Sequence, residues 1–174
     1  GIQERTRKLF EICRLRNIPI FTFMNKLDRP AKNPLELLDE LESVLGIGGF
    51  PVTWPLGDGP DFKGVYDRLA KELHLFSNRG KGSARAAEHI TGATDPRIGE
   101  LLHPDLHQEW LTQIELLSLA GESFDHDKIR QGELTPVFFG SGINNFGVQL
   151  LLNYFVEHAI PPQARKSSLG LIQP

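Results

Sequence analysis

Apolar residues recur at helical spacing over residues 4–16, where Leu9, Ile12 and Cys13 share a face and polar residues lie between them. That spacing predicts an amphipathic helix, closed by Asn17 in a left-handed conformation with Pro19 just beyond. Residues 18–24 are short and almost wholly apolar, the pattern of a strand buried on both faces of a parallel sheet. A polar loop follows, and then Asn33 and Pro34 stand as cap and first residue of a second helix. Leu35, Leu38, Leu41, Val44 and Leu45 form its apolar stripe, which stops at Gly46. Helix, strand, loop and helix make half of a doubly wound α/β fold.

A further parallel strand is expected after a connection of about 2–6 residues, and the pattern does not supply one. Residues 50–54 read as a short strand, followed by a Gly/Pro/Asp-rich stretch over 55–64. Short strand pieces at 65–66, 73–76 and 88–90 surround a polar, basic, glycine-rich loop at 77–87. Leu106, Trp110, Leu111, Ile114, Leu117 and Ala120 then mark a helix that stops at Gly121, and a shorter helix is expected at 125–131. The α/β pattern resumes with an apolar strand at 135–139 and an exit loop at 140–144. Asn145 is expected to cap a helix carrying Val148, Leu151, Leu152, Phe155, Val156 and Ala159, ended by Pro161 and Pro162. The expected class is therefore α/β: a partial, doubly wound sheet over 1–54 and 133–162, with an inserted mixed α+β subdomain over 55–132. Residues 163–174 read as a linker toward a further domain.

The sharpest chemical signal is Asn25-Lys26-Leu27-Asp28, which directly follows the first apolar strand. Ligands of open α/β sheets bind at such strand ends. A carboxylate at Asp28 accepts from two neighbouring donors, as guanine offers with its ring N1–H and exocyclic amine and adenine does not. Asn25 either serves the base edge or ties the loop together, and the Lys26 stem suits a flat purine face. Ser141-Gly142-Ile143 follows the other apolar strand and precedes a helix. Its small residues allow backbone N–H groups to approach the guanine carbonyl oxygen. Two such loops, in order on two strands of one sheet, point to a guanine site.

With those motifs in place, longer segments become informative. Residues 6–10, 18–20, 25–29, 34–40, 51–55, 62–66, 135–141 and 145–148 closely resemble the GTPase domain of the bacterial peptide chain release factor three family. The Trp54-Pro55 and Asn145-Phe146-Gly147-Val148 segments separate that family from elongation factor G, which shares the guanine motifs and an inserted subdomain. The resemblance covers nearly the whole chain and implies the later half of a P-loop-GTPase-like sheet. It also implies GTP or GDP with magnesium as ligands, the ribosome and the stop-codon-reading release factors as partners, and a cytoplasmic setting. Gly142 stands where alanine is usual, a mild departure because only the backbone is used there, and residues 80–104 match more loosely. A second reading makes the chain a non-enzymatic docking module that binds a ribosomal stalk protein through the inserted subdomain.

Composition narrows the picture without redirecting it. In 174 residues, 19 basic and 22 acidic side chains leave a net charge of -3, so no uniform basic surface points to nucleic acid. The single cysteine, Cys13, excludes an intrachain disulfide, fits a reducing compartment and reads as a small core residue. No apolar run reaches the roughly 18 residues that span a bilayer. His103 and His107 have a helical metal-ligand spacing, but without an evident acidic or cysteine partner they read as a solvated helix start. Trp54 and Trp110 read as core, and Lys8, Arg14 and Arg16 as a solvated face. The basic loop at 79–85 is the best nucleic-acid candidate, although a solvated loop is the plainer reading.

The chain opens on Gly1-Ile2-Gln3 with no initiator methionine and is expected to begin inside a fold, exposing a sheet edge that favours self-association. No Gly-x-x-x-x-Gly-Lys-Ser/Thr segment occurs, and Gly80-Lys81-Gly82-Ser83 is not a substitute. Phosphate and magnesium binding are therefore expected to rest on residues outside this sequence. The 174-residue chain is expected to release no phosphate from GTP and to bind GDP more weakly than submillimolar. A phosphate-release assay and an NMR titration with GDP check both.

Overall fold

The computed structural model describes residues 2–16, 18–76, 86–120, 123–159, 165–168 and 170–172. The first elements are α1 (Glu4–Leu15), β1 (Thr22–Met24), α2 (Pro34–Leu45), β2 (Gly48–Pro51), β3 (Thr53–Leu56), β4 (Gly64–Asp67), β5 (Glu72–Phe76) and β6 (Ala86–Thr91). They are followed by α3 (Pro96–Gly99), α4 (Pro104–Ala120), α5 (His126–Gln131), β7 (Leu134–Phe139), α6 (Val148–His158), β8 (Arg165–Ser167) and β9 (Gly170–Ile172). The fold is α/β, with a parallel sheet ordered β1-β7-β2 and an antiparallel sheet ordered β3-β4-β5-β6. Among the described residues no helix is long and apolar enough to cross a membrane.

β7 is the central strand, and all six of its residues are buried. Its alternation sends Leu134 and Phe138 to one side, into a cluster with Phe50, Val52 and Ile129. Val137 and Phe139 face the other side, where they join α2 and the antiparallel sheet. β1 is shorter than the apolar run suggests and only half-buried. Among the described residues it has a single strand partner, and Thr135 Oγ1 donates to the Ile20 carbonyl at 2.7 Å, so a side chain replaces the next ladder bond. α2 begins and ends as read: the Asn33 side chain accepts from Leu35 N–H at 3.0 Å, and Gly46 at φ +67° closes the helix.

The missing parallel strand is present after all. β2 starts three residues past α2 and pairs in parallel with β7, Gly48 opposite Leu134 and Pro51 opposite Val137. Two glycines disguised it, since glycine is depleted in strands. Packing accounts for both: a Cβ on Gly48 would lie 3.2 Å from Leu134 Cδ1, and one on Gly49 would lie 3.3 Å from Leu38 Cδ2.

α1 departs from expectation in the other direction. None of its residues is fully buried, and Leu9 and Ile12 remain 58% and 47% exposed. Its apolar stripe borders a groove of about 590 Å³ between α1, β1 and α2, and Cys13 is half-buried on that groove's wall rather than in a core. Asn17 lies outside the described residues. Asn145 does not cap α6 either. It sits at φ +57° in a turn closed by paired hydrogen bonds between Ser141 and Phe146, and the cap position falls to Gly147 at φ +75°. Within the stretch read as a linker, β8 and β9 form an antiparallel hairpin.

The antiparallel sheet is fastened to β7 by its first strand. Thr53 Oγ1 accepts from Phe139 N–H at 2.9 Å, and Trp54 meets the Phe139 ring edge-on at 5.3 Å. α4 covers the sheet: Trp110 packs edge-on against Tyr66, and Trp54 Nε1–H donates to Gln113 Oε1 at 2.9 Å. Both tryptophans are buried, in line with their reading as core. Arg68 closes the arrangement by donating to the Pro51 carbonyl at 2.7 Å and the Leu117 carbonyl at 2.8 Å, its guanidinium 5.0 Å over the Phe50 ring. Arg68→Met keeps the stem and removes both charge-assisted bonds, at an expected cost of about 2–3 kcal/mol. A urea titration should show a lower midpoint with an unchanged slope, and Arg68→Lys should recover part of the loss.

Candidate functional site

Thr22, Phe23 and Met24 stand opposite Val137, Phe138 and Phe139, so β1 and β7 end at the same level. The last rung is Gly140 N–H to the Met24 carbonyl at 3.0 Å. The chain therefore leaves the sheet at Asn25 and at Gly140 side by side, on the carboxyl edge where α/β sheets hold ligands.

The two loops singled out in the sequence are bound to each other. Leu27 N–H donates to the Gly140 carbonyl at 3.1 Å. Gly142 N–H donates to Asn25 Oδ1 at 2.9 Å. Ser141 Oγ donates to Asp28 Oδ1 at 2.5 Å. Asn25 Oδ1 also accepts from Lys26 N–H at 2.7 Å, and this helps hold Lys26 at φ +73°, a conformation that a side chain disfavours. Of the two roles open to Asn25, the geometry realises loop tying.

Leu27 is the anchor of the first loop, only 1% exposed, and its carbonyl accepts from Gly59 N–H at 2.8 Å. Asp58 reaches the same loop from the antiparallel layer, its Oδ2 accepting from Ala31 N–H at 2.8 Å. Asp28 keeps about a fifth of its side chain exposed, with Oδ2 3.8 Å from Arg29 Nε. Ser141 is wholly buried, whereas Lys26 and Ile143 face solvent. The result is a hydrogen-bonded floor at whose surface the Asp28 carboxylate and the Lys26 side chain stand.

Several contributors carried no signal of their own in the sequence. Gly59 and Asp58 belong to a stretch that reads only as Gly/Pro/Asp-rich, and Phe146 entered only as part of the family-separating segment 145–148. Gly140 is needed for space: a Cβ there would lie 2.2 Å from the Phe146 carbonyl oxygen and 2.8 Å from Phe23 Cζ. At Gly142 a Cβ would meet the Asn25 carboxamide at 3.5 Å, ordinary van der Waals contact.

The other sequence candidates lie apart from this site. His103 pairs with Asp105 at 3.5 Å, and His107 packs its ring against Gly99. The basic stretch at 79–85 lies outside the described residues. The contrast between the two glycines is testable. Gly140→Ala is expected to cost about 1–3 kcal/mol or more by overpacking, and Gly142→Ala less than about 0.5 kcal/mol. Parallel denaturant titrations of the two variants check the difference.

Comparison with known proteins gives this geometry a context. Residues 1–161 match the family described as the elongation factor Tu GTP binding domain. Peptide chain release factor 3 of Gloeothece citriformis is 49% identical over 174 residues, covering all of this chain and 32% of that protein. The Microcystis aeruginosa and Trichormus variabilis proteins of the same name are 48% and 49% identical over the same span and coverage. The chain thus spans about a third of the length of the curated relatives it matches. A crystal structure of a Thermus thermophilus protein superposes with a TM-score of 0.61 at 25% identity, over 94% of this chain and 25% of that one. By the match over residues 1–161, the chain belongs to the elongation factor Tu GTP-binding domain family.

Proposed function

We propose that these residues form the base-recognition part of a translational GTPase acting in termination, which uses GTP to recycle stop-codon-reading release factors from the ribosome. The observation that carries this reading is the clasp between the loops at 25–28 and 141–143 on the carboxyl ends of adjacent parallel strands. The relatives named peptide chain release factor 3 supply the biological setting. Residues 55–132, read as an inserted subdomain, would add the antiparallel layer to that GTPase core.

Within this reading each residue has a distinct task. Asp28 accepts from the guanine N1–H and exocyclic amine, and Ser141 fixes the plane of its carboxylate. Lys26 lays its stem along the purine face. Ser141 N–H and Gly142 N–H are committed to the Phe146 carbonyl and to Asn25. The Ile143 N–H is then the loop amide that meets the guanine carbonyl oxygen. Phosphate and magnesium binding fall to residues that this sequence does not contain, so no step at the γ-phosphate is assigned to this chain.

The base assignment predicts a change of specificity rather than a simple loss. In the complete translation factor carrying these residues, Asp28→Asn should weaken GDP binding by about 100-fold, or about 2.7 kcal/mol. The same variant should gain affinity for xanthosine diphosphate, whose 2-oxo group accepts from the new amide. Competition binding with the two nucleotides reads the outcome, and equal weakening for both would reject the assignment.

A further inference from the structure

A second group of chemically capable side chains lies on the antiparallel sheet, away from the clasped loops. His74 on β5 stands directly opposite His89 on β6, and Glu72 lies two residues before His74. The two-residue period of a strand therefore brings all three to one face. One ligand-capable atom from each lies within 4.8 Å of the other two. His89 Nδ1 is 3.8 Å from Glu72 Oε2, and the two imidazoles meet edge-to-face with centroids 4.4 Å apart. His74 is only 8% exposed, and its Nε2 is buried with no hydrogen-bond partner among the described residues. A buried nitrogen of that kind is destabilising unless something engages it.

We propose that Glu72, His74 and His89 form a binding site for a divalent transition-metal ion, with zinc the best match. Two imidazole nitrogens and one carboxylate oxygen are a borderline donor set that suits zinc, and three protein ligands leave its fourth position open. Ligand atoms at zinc distances stand about 3.4 Å apart in a tetrahedron, so closure requires inward movements of about 1 Å. Glu72 and His89 have the freedom to make them, with side chains 41% and 53% exposed. His74 is the fixed point. The ion would fasten β6, the terminal strand of the sheet, to β5.

The test uses the 174-residue chain, free of any histidine tag and stripped with EDTA. Calorimetric titration with zinc should show one saturable site in the micromolar range, and cobalt(II) should produce visible d–d absorption displaced by zinc. His89→Gln and Glu72→Gln lie on the sheet surface and should each raise the zinc dissociation constant at least tenfold with an unchanged far-UV CD spectrum. They keep the test informative even if His74→Gln does not fold. Absence of saturable zinc binding, or unchanged affinity in either surface variant, would overturn the proposal.

Discussion

The in-register parallel pairing of β1 with β7 is the constraint on which the candidate site depends. Because both strands end level, two loops more than a hundred residues apart in sequence emerge within hydrogen-bonding reach. A slip of one residue would invert every side chain of β1 with respect to the sheet and separate Asn25 from Gly142. The bonds between the loops are mixed in kind: one is main chain to main chain, one main chain to carboxamide, and one hydroxyl to carboxylate. Side-chain identity is therefore built into the loop geometry itself. Aspartate at position 25 would still accept from both amides, but it would set a second negative charge beside Asp28, which the neutral asparagine avoids.

The antiparallel layer is bonded to this arrangement as well as packed against it. Thr53 receives the Phe139 amide one residue before Gly140, and Gly59 donates to the carbonyl of Leu27 between Lys26 and Asp28. Buried residues of α2, β7, the antiparallel strands and α4 form one continuous apolar cluster. The first loop is thus supported from below by β7 and from the side by the turn at 57–59.

Much of this was legible in the sequence because it follows from local chemistry. α2 announces itself through Asn33, Pro34 and Gly46, and β7 through an unbroken apolar run. The two loops were identifiable because each follows an apolar strand. What escaped depends on contacts distant in sequence. β2 was hidden by glycines whose small size is required by Leu134 and Leu38. The ladder of β1 stops where distant Pro136 has no N–H to offer Ile20, and the Thr135 hydroxyl donates in its place. Asn145 has the residue type of a cap, but the Ser141–Phe146 bridge spends those positions on a left-handed turn. The histidines with conspicuous helical spacing, His103 and His107, drew attention, whereas His74 and His89 come together only through strand register.

The placement of β2 beside β7 also bears on where this chain tolerates changes of length. Gly48 lies next to Leu134 and Pro51 next to Val137, so the chain departs from the parallel sheet and returns to it along adjacent strands. Residues gained or lost between Pro51 and Leu134 leave the alignment of β1 with β7 untouched, provided the contacts of Thr53, Asp58 and Gly59 are kept. Residues gained between Met24 and Asp28, or between Phe139 and Ser141, would leave that alignment in place but pull apart the bonded partners of the two loops. Length variation in this architecture is therefore channelled to one side of the sheet, and the far ends of the antiparallel hairpins are where a lineage is free to elaborate.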